Sequence, residues 1–363
     1  MELNENQVQN PLCKAHMTQT DIKEFTRDHL ASWLQEHDIR SFRAGQIFKW
    51  IYLRNADNFE EMTDLGKEMR ELLSGHFTNN RLEKVKVEIS GDGTRKYLFQ
   101  LEDKKFIESV LICEKNRFTL CISTQVGCAQ GCEFCLTAKR GLERNLTAGE
   151  IIAQIRDVQK DLCGCEYPSN LVFMGMGEPL ANYDNVIRAM QIITDTDYGL
   201  KFSTRRVTLS TVGLVPKIPQ FGKDTKVNLA ISLNATDNET RSMLMPINRA
   251  FPIERLLEAC REYPLAPRRK ITFEYILIRG INDSLENASR LAKLLRPIPS
   301  KINLIPFNEH EGSEFKRPED SVVLRFQENL HNDGYSAIVR HSKGQDISAA
   351  CGQLGAKHMA ENG

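Results

Sequence analysis

Hydrophobic positions change their period along the chain, and each change predicts a different kind of element. Residues 1–16 are polar and read as a tail. Over 17–80 apolar residues recur at helical spacing, as in Leu30, Trp33 and Leu34 and again in Ile47, Trp50 and Ile51, with few β-branched runs. That predicts a small helical accessory domain. Over 81–115 the period falls to two. Val85, Val87 and Ile89 alternate with charged residues, Gly91-Asp92-Gly93 signals a turn, and Tyr97, Phe99 and Leu101 alternate again, which predicts a β-hairpin linker. From Thr119 the rhythm becomes strand, loop, helix. Predicted strands are Thr119–Ser123, Leu171–Met174, Arg206–Leu209, Val227–Leu233, Ile271–Leu277, Ile302–Ile305 and Ala337–Val339, and one helix opens on the capping box Thr147-Ala148-Gly149-Glu150. Such alternation predicts an α/β domain over 116–345, its parallel sheet open or closed into a barrel, with ligands at the carboxyl ends of the strands. Gly175–Pro179, Ser210-Thr211, Ser232-Leu233-Asn234 and Asn308 each end a predicted strand, and 346–363 follow as a C-terminal loop and tail.

Composition narrows the setting. A length of 363 residues leaves room for one large domain and a smaller one, and 41% hydrophobic residues suffice for a sizeable core. Net charge is zero, so a nucleic-acid surface must be a local patch. The N-terminus has no apolar signal region and no apolar run approaches about 18 residues, so no membrane span is expected. Ten cysteines in a chain of this kind point to reduced thiols in the cytosol, available for metal or redox chemistry.

Cys128, Cys132 and Cys135 stand in Cys-Ala-Gln-Gly-Cys-Glu-Phe-Cys, a C-x3-C-x2-C triplet. Three thiolates can hold three irons of a cubane cluster and leave the fourth open to an outside molecule. A structural zinc site is closed by four protein ligands, and no fourth cysteine or histidine follows at a matching spacing. With Phe134 before its last cysteine, the triplet resembles the radical S-adenosylmethionine (SAM) superfamily. The resemblance implies a partial (β/α)6-type barrel and one [4Fe-4S] cluster on these cysteines. It further implies SAM chelated to the open iron and cleaved by one electron to a 5′-deoxyadenosyl radical. By the same resemblance Gly177 and Glu178 receive the cofactor's ammonium group, and Ser210, Ser232, Leu233, Asn234 and Asn308 match other cofactor-contacting positions.

A lone cysteine is most often a small core hydrophobe, but Cys121 precedes the triplet by seven residues and Cys351 precedes a glycine in a small-residue segment after the last strand. Here the chain resembles the dual-specificity RNA methyltransferases, from about Thr18 to Leu354. The resemblance is most specific over Cys121–Cys135, Gly175–Leu180, Leu244–Asn248, Asn303–Asn308 and Arg340–Leu354. Members methylate C2 of adenosine 2503 in 23S rRNA, and some also adenosine 37 of certain tRNAs. What the resemblance implies is a two-cofactor cycle. Cys351 takes a methyl from one SAM, because a thiolate can attack a sulfonium methyl and the electron-poor adenine C2 cannot. A radical made from a second SAM activates that S-methyl group, and the carbon adds to C2. Once the C2 proton is removed, Cys121 attacks the Cys351 sulfur and frees the RNA, leaving a transient disulfide. Glu108 matches the family's proton acceptor, with Cys121 as the competing candidate. A flavodoxin-like reductase is implied as electron donor, and a monomer is expected.

Basic residues gather at Lys139, Arg140 and Arg144, at Arg205 and Arg206, at Arg268–Lys270, and at Arg340 with Lys343. The expectation is that they lie on active-face loops and meet RNA phosphates. A sibling group methylates C8 of the same adenosine; Pro179 and Val126 favour the C2 branch. A radical enzyme on protein or small molecules would not need Cys121 and Cys351 together, and a non-enzymatic metal-binding RNA module would hold zinc. Cys163 and Cys165 read as surface thiols, Cys260 as core, Cys13 as tail, and Cys113 takes no role.

Overall fold

The computed structural model of the chain describes residues 19–114, 117–162, 167–310 and 313–355. Cys13, Cys163 and Cys165 lie outside these. At the amino end, α1 (Arg27–Glu36), α2 (Arg43–Phe48, continued by a π-helical turn over Lys49–Leu53) and α3 (Lys67–His76) make the expected helical unit. Thr26 caps α1 by accepting the His29 N–H at 3.3 Å. Leu30, Leu34, Ile47 and Ile51 are fully buried, while Trp33 and Trp50 pack half-buried at the margin. A parallel pair, Thr20–Asp21 with Phe77–Thr78, closes the unit.

The strands form one large sheet. β1 (Glu83–Ile89), β2 (Arg95–Gln100), β3 (Phe106–Glu114) and β4 (Arg117–Cys121) pair antiparallel in succession. Then β5 (Pro168–Phe173), β6 (Val207–Thr211), β7 (Asn228–Ser232), β8 (Ile271–Leu277), β9 (Ser300–Pro306) and β10 (Ala337–Val339) add one after another, all parallel to β4. The ten strands therefore stand in chain order. All seven predicted parallel strands are present, within a few residues of their predicted ends. The hairpin region departs from the expected linker: it continues the same sheet, with Val110 opposite Cys121. The cause is in β3, where Ile107 to Leu111 are all buried. A strand with both faces covered belongs inside a sheet.

Helices cover the outside: α4 (Leu136–Lys139), α5 (Ala148–Asp161), α6 (Tyr183–Thr194), α7 (Lys217–Asp224), α8 (Asn238–Leu244), α9 (Ile253–Glu262), α10 (Leu285–Leu295) and α11 (Asp320–Asn332). The predicted capping box opens α5, with Glu150 N–H on Thr147 Oγ1 at 3.2 Å and Thr147 N–H on Glu150 Oε2 at 2.9 Å. Fully buried Arg156 of α5 donates to Asn79 Oδ1 (2.9 Å) and Ala56 O (2.6 Å), fixing the helical unit to the sheet. Along β8 the side chains alternate. Phe273 and Tyr275 pack in the core, Tyr275 against Phe326 of α11, while Thr272 and Glu274 face an inner cavity. Cys260 on α9 is core, as expected. Among the described residues no helix is long and apolar enough to cross a membrane.

Candidate active site

Past β4 the chain forms a short antiparallel pair, Gln125–Gly127 with Leu142–Asn145. The loop between them carries the triplet. Cys135 donates its N–H to Cys132 O at 3.1 Å, a turn that gathers the last two thiols, and stands at the start of α4. Cys128 and Cys132 are buried, and Phe134, Leu244, Met245, Ile278 and Phe307 make a dry wall around Cys132. Burial pushes the Cys128 thiol up to about 12 and Cys132 well above the usual range, and the neighbouring Cys135 adds to both shifts. Among the described residues no group of three or more His, Cys, Asp or Glu is placed to share one metal ion. A cubane makes no such demand, since each thiolate binds a different iron. Three thiols in an apolar pocket therefore fit a cluster better than a mononuclear site.

The strand-end residues gather beside this loop. Gly177 has φ +99°, and a Cβ there would lie 2.5 Å from Gln125 Cβ, so only glycine permits the turn. Glu178 is buried and accepts Leu180 N–H (3.0 Å) and Val212 N–H (2.9 Å). Burial raises its carboxyl to about 7, against those hydrogen bonds. Ser210 and Ser232 both donate to Glu274. Leu233 is buried and its N–H meets Glu274 O at 3.0 Å. Asn234 adopts φ +59° and accepts Ile276 N–H at 2.9 Å. Sequence reasoning missed Arg241. It is fully buried and ties the ends of β6 and β7 by donating to Val212 O (2.7 Å), Leu233 O (3.1 Å) and Asn248 Oδ1 (3.0 Å). Leu244–Asn248 thus serves as scaffold: Asn248 orients Arg241, and Met245 sulfur accepts from Asn234 at 3.3 Å.

A cavity of about 480 Å³ runs the height of the parallel strands inside the sheet's curve. At the carboxyl end its wall includes Cys121, Cys135, Gly175, Asn308 and Cys351. The two thiols assigned by resemblance therefore share one chamber that begins beside the cluster loop. Burial raises the Cys121 thiol above the ordinary value; Cys351 is exposed on one side, and partial desolvation in the chamber together with Glu274 raises its thiol as well.

Four clamps hold the Cys351 segment. Asn308 donates to Cys351 O at 3.0 Å and accepts from Gln345 Nε2 at 3.1 Å and from the Ser342 hydroxyl. The β1–β2 turn exchanges carboxylates with the segment: Asp346 accepts from Ser90 Oγ (2.6 Å) and Gly91 N–H (3.1 Å), while Asp92 accepts from Gly344 N–H (3.1 Å). Lys96 donates to Ile347 O at 2.6 Å. Glu108, 5% exposed, accepts Gly355 N–H at 2.7 Å and lies 3.5 Å from Lys96. Glu108 is not part of the cavity wall; it faces the C-terminal segment.

The expected placement needs correction for two of the basic groups, while Lys139 and Arg140 follow the cluster loop and Arg340 and Lys343 follow the carboxyl end of β10. Arg205 and Arg206 precede β6, and Arg268–Lys270 precede β8, so they stand at the amino ends of the strands, away from the cluster. Arg144 is paired with Asp103 (2.7 Å) and Glu150 (2.8 Å). Arg205 and Arg206 still line the cavity, at its far mouth, with Arg117 and Lys301.

Residues 20–78 match the family model described as the ribosomal RNA large subunit methyltransferase N-terminal domain, and 122–292 match the radical SAM superfamily. The chain is 59% identical over 336 residues to the dual-specificity RNA methyltransferase RlmN of Desulfosudis oleivorans, across 93% of this chain and 91% of the relative. The chain belongs to the dual-specificity RNA methyltransferase family. A second RlmN relative, from Geobacter sulfurreducens, is 55% identical over 94% of this chain and 93% of its own. The fold of this RlmN family member matches a crystal structure of a radical SAM methyltransferase from Sphaerobacter thermophilus with a TM-score of 0.87 and 42% identity, covering 93% of this chain and all of that one. The first match falls on the helical unit; the second runs from just after β4 through the cluster loop and β5–β8 into α10.

Proposed function

We propose that the protein methylates C2 of adenosine in RNA, at adenosine 2503 of 23S rRNA and adenosine 37 of tRNA, through a methyl carried on Cys351. The observation that carries this reading is the meeting of Cys351 and Cys121 in one chamber beside Cys135. Cys128, Cys132 and Cys135 hold the cluster; Gly177, Glu178, Ser210, Ser232, Leu233, Asn234 and Asn308 form the SAM site. When bound, the cluster and two SAM per turnover supply a methyl group and one-electron cleavage of the sulfonium.

Cys351 is tied by its own carbonyl to Asn308, so the carrier sulfur is held relative to the SAM site. Cys121, at the end of β4, sits on rigid sheet, and a thiol fixed there, facing a carrier on a loop, suits the resolving role. Attack of Cys121 on the Cys351 sulfur leaves a disulfide that an external thiol resets. Arg117, Arg205, Arg206 and Lys301 are exposed at the far mouth and suit the phosphates that flank an extruded adenosine. A flavodoxin-like reductase supplies the electron, and the enzyme works as a cytoplasmic monomer.

The test is anaerobic turnover of the iron-loaded protein with an rRNA fragment, read by nucleoside mass spectrometry. 2-Methyladenosine is the expected product; 8-methyladenosine would move the protein to the C8 branch. Cys121→Ala should trap a protein–RNA crosslink. Full methylation by Cys351→Ala would overturn the reading.

A further inference from the structure

Glu274 is a buried carboxylate that the cycle described so far leaves without a task. It sits on β8 opposite Ser232 of β7 and forms part of the cavity wall, 8% exposed. Ser210 Oγ (2.6 Å) and Ser232 Oγ (3.4 Å) both donate to its Oε2, and Oε1 accepts no hydrogen bond from the described residues. No cation among the described residues lies within ion-pair distance of it; Arg340 acts only at longer range. Burial raises its pKa, partly offset by the two serines. An unpaired carboxylate costs free energy to bury, so its retention needs a reason, and the chamber supplies one: both Cys351 and Cys121 are within its electrostatic reach. The cavity has one other carboxylate among its described wall residues, Glu114, which lies 4.0 Å from Arg340 at the far side. Glu108 is turned to Lys96 and Gly355 instead.

We propose that Glu274 is the proton acceptor of the reaction. This rests on the function proposed above. Addition of the carbon radical to C2 gives a radical adduct that passes one electron to a one-electron acceptor, the oxidised iron–sulfur cluster; in the closed-shell cation that results, a methylene joins the Cys351 sulfur to C2, which still carries its hydrogen. The C2–H bond breaks, its electron pair stays in the ring, and the proton goes to Glu274 Oε1. Cys121 then releases its thiol proton to solvent and bonds to the Cys351 sulfur as the S–CH2 bond breaks toward carbon. Glu274, now protonated, returns a proton to that carbon and completes the methyl. The two serines steady Oε2 through both protonation states. A carboxylate raised by burial is a stronger base than one in water, which suits a proton acceptor.

Glu274→Gln keeps the shape and an acceptor for both serines while removing the base. Cys351 methylation and SAM cleavage should persist, the protein–RNA adduct should accumulate, and its resolution should slow by about 10²- to 10⁴-fold. The acid limb of the pH–rate profile for resolution should vanish. In protein without iron or SAM, alkylation of Cys351 at fixed pH should speed up, because a neighbouring negative charge is gone. Resolution at the wild-type rate would overturn the proposal, as would loss of SAM binding with no adduct, which would make Glu274 a cofactor ligand. If the glutamine variant does not fold, Glu274→Asp decides: slowed resolution with the acid limb retained is expected, and an unslowed rate overturns the assignment. Absence of any adduct in the wild type would instead sink the proposed function itself.

Discussion

Replacing Lys96 by methionine tests whether the β1–β2 hairpin holds the Cys351 segment in place. Lys96 is 9% exposed; its Nζ reaches Ile347 O at 2.6 Å, Glu88 at 3.0 Å and Glu108 at 3.5 Å. Removing one partner of a buried ion pair costs ~3–5 kcal/mol. The low end applies, because Gly355 N–H still serves Glu108 and Glu88 is more open to water. About 3 kcal/mol is roughly a hundredfold in the docking equilibrium of the segment. Much of this loss should be local, since the segment is the part that can open. Hydrogen exchange of amides 344–355 should accelerate by that order. Lys96→Met with Glu108→Gln should recover most of the loss, because it leaves no deeply buried charge uncompensated and Glu88 keeps its pair with Lys86 at 2.9 Å. Unchanged exchange over 344–355, with the rest of the protein equally unperturbed, would refute the clamp.

The double variant Arg205→Ala/Arg206→Ala should lower the slope of log affinity for RNA against log salt by about 0.7 for each phosphate left without its arginine, with kcat unchanged at saturating RNA; an unaltered slope in a filter-binding series would remove these residues from the RNA surface. Gly177→Ala must place a methyl 2.8 Å from Gln125 N at positive φ, and should cost about 3 kcal/mol or more by urea unfolding. Cys351 titrates at about 11 in the folded chain against 9.0 ordinarily. The folded state prefers the neutral thiol, so this group's stabilisation is complete below pH 9 and is lost as pH climbs from 9 to 11. Alkylation of Cys351 should accordingly rise about tenfold per pH unit up to about 11, and a plateau near pH 9 would show that the solvent-exposed sulfur is not held above its ordinary value by the chamber and Glu274.

The parallel strands are legible because each is a short apolar run closed by glycine or a polar residue, and such runs fit strands covered on both faces. The triplet is legible because its spacing is set by cluster geometry. Pairing across the sheet is not. Nothing in the order of residues says that Val110 meets Cys121, because register between separate segments is fixed by packing. Glu274 is easily passed over inside Ile271–Leu277, yet it carries a signal: a carboxylate in a strand otherwise built for burial needs an inner polar space. Arg205 and Arg206 come before Val207, and residues before a parallel strand stand at its amino end, so their true position follows from chain order where clustering of charge misleads. Glu108 and Asn308 are identified by resemblance; their bonds to Gly355 and Cys351 depend on where a segment some 40 to 250 positions later comes to rest.

The chamber's two ends have a pharmacological meaning. Because one mouth adjoins the cluster loop and the other is ringed by arginine and lysine, a polymer tethered at the second need not obstruct traffic of a small molecule through the first. A compound that plugs the cationic mouth should therefore compete with RNA but not with SAM, leaving futile cofactor consumption running behind a closed door.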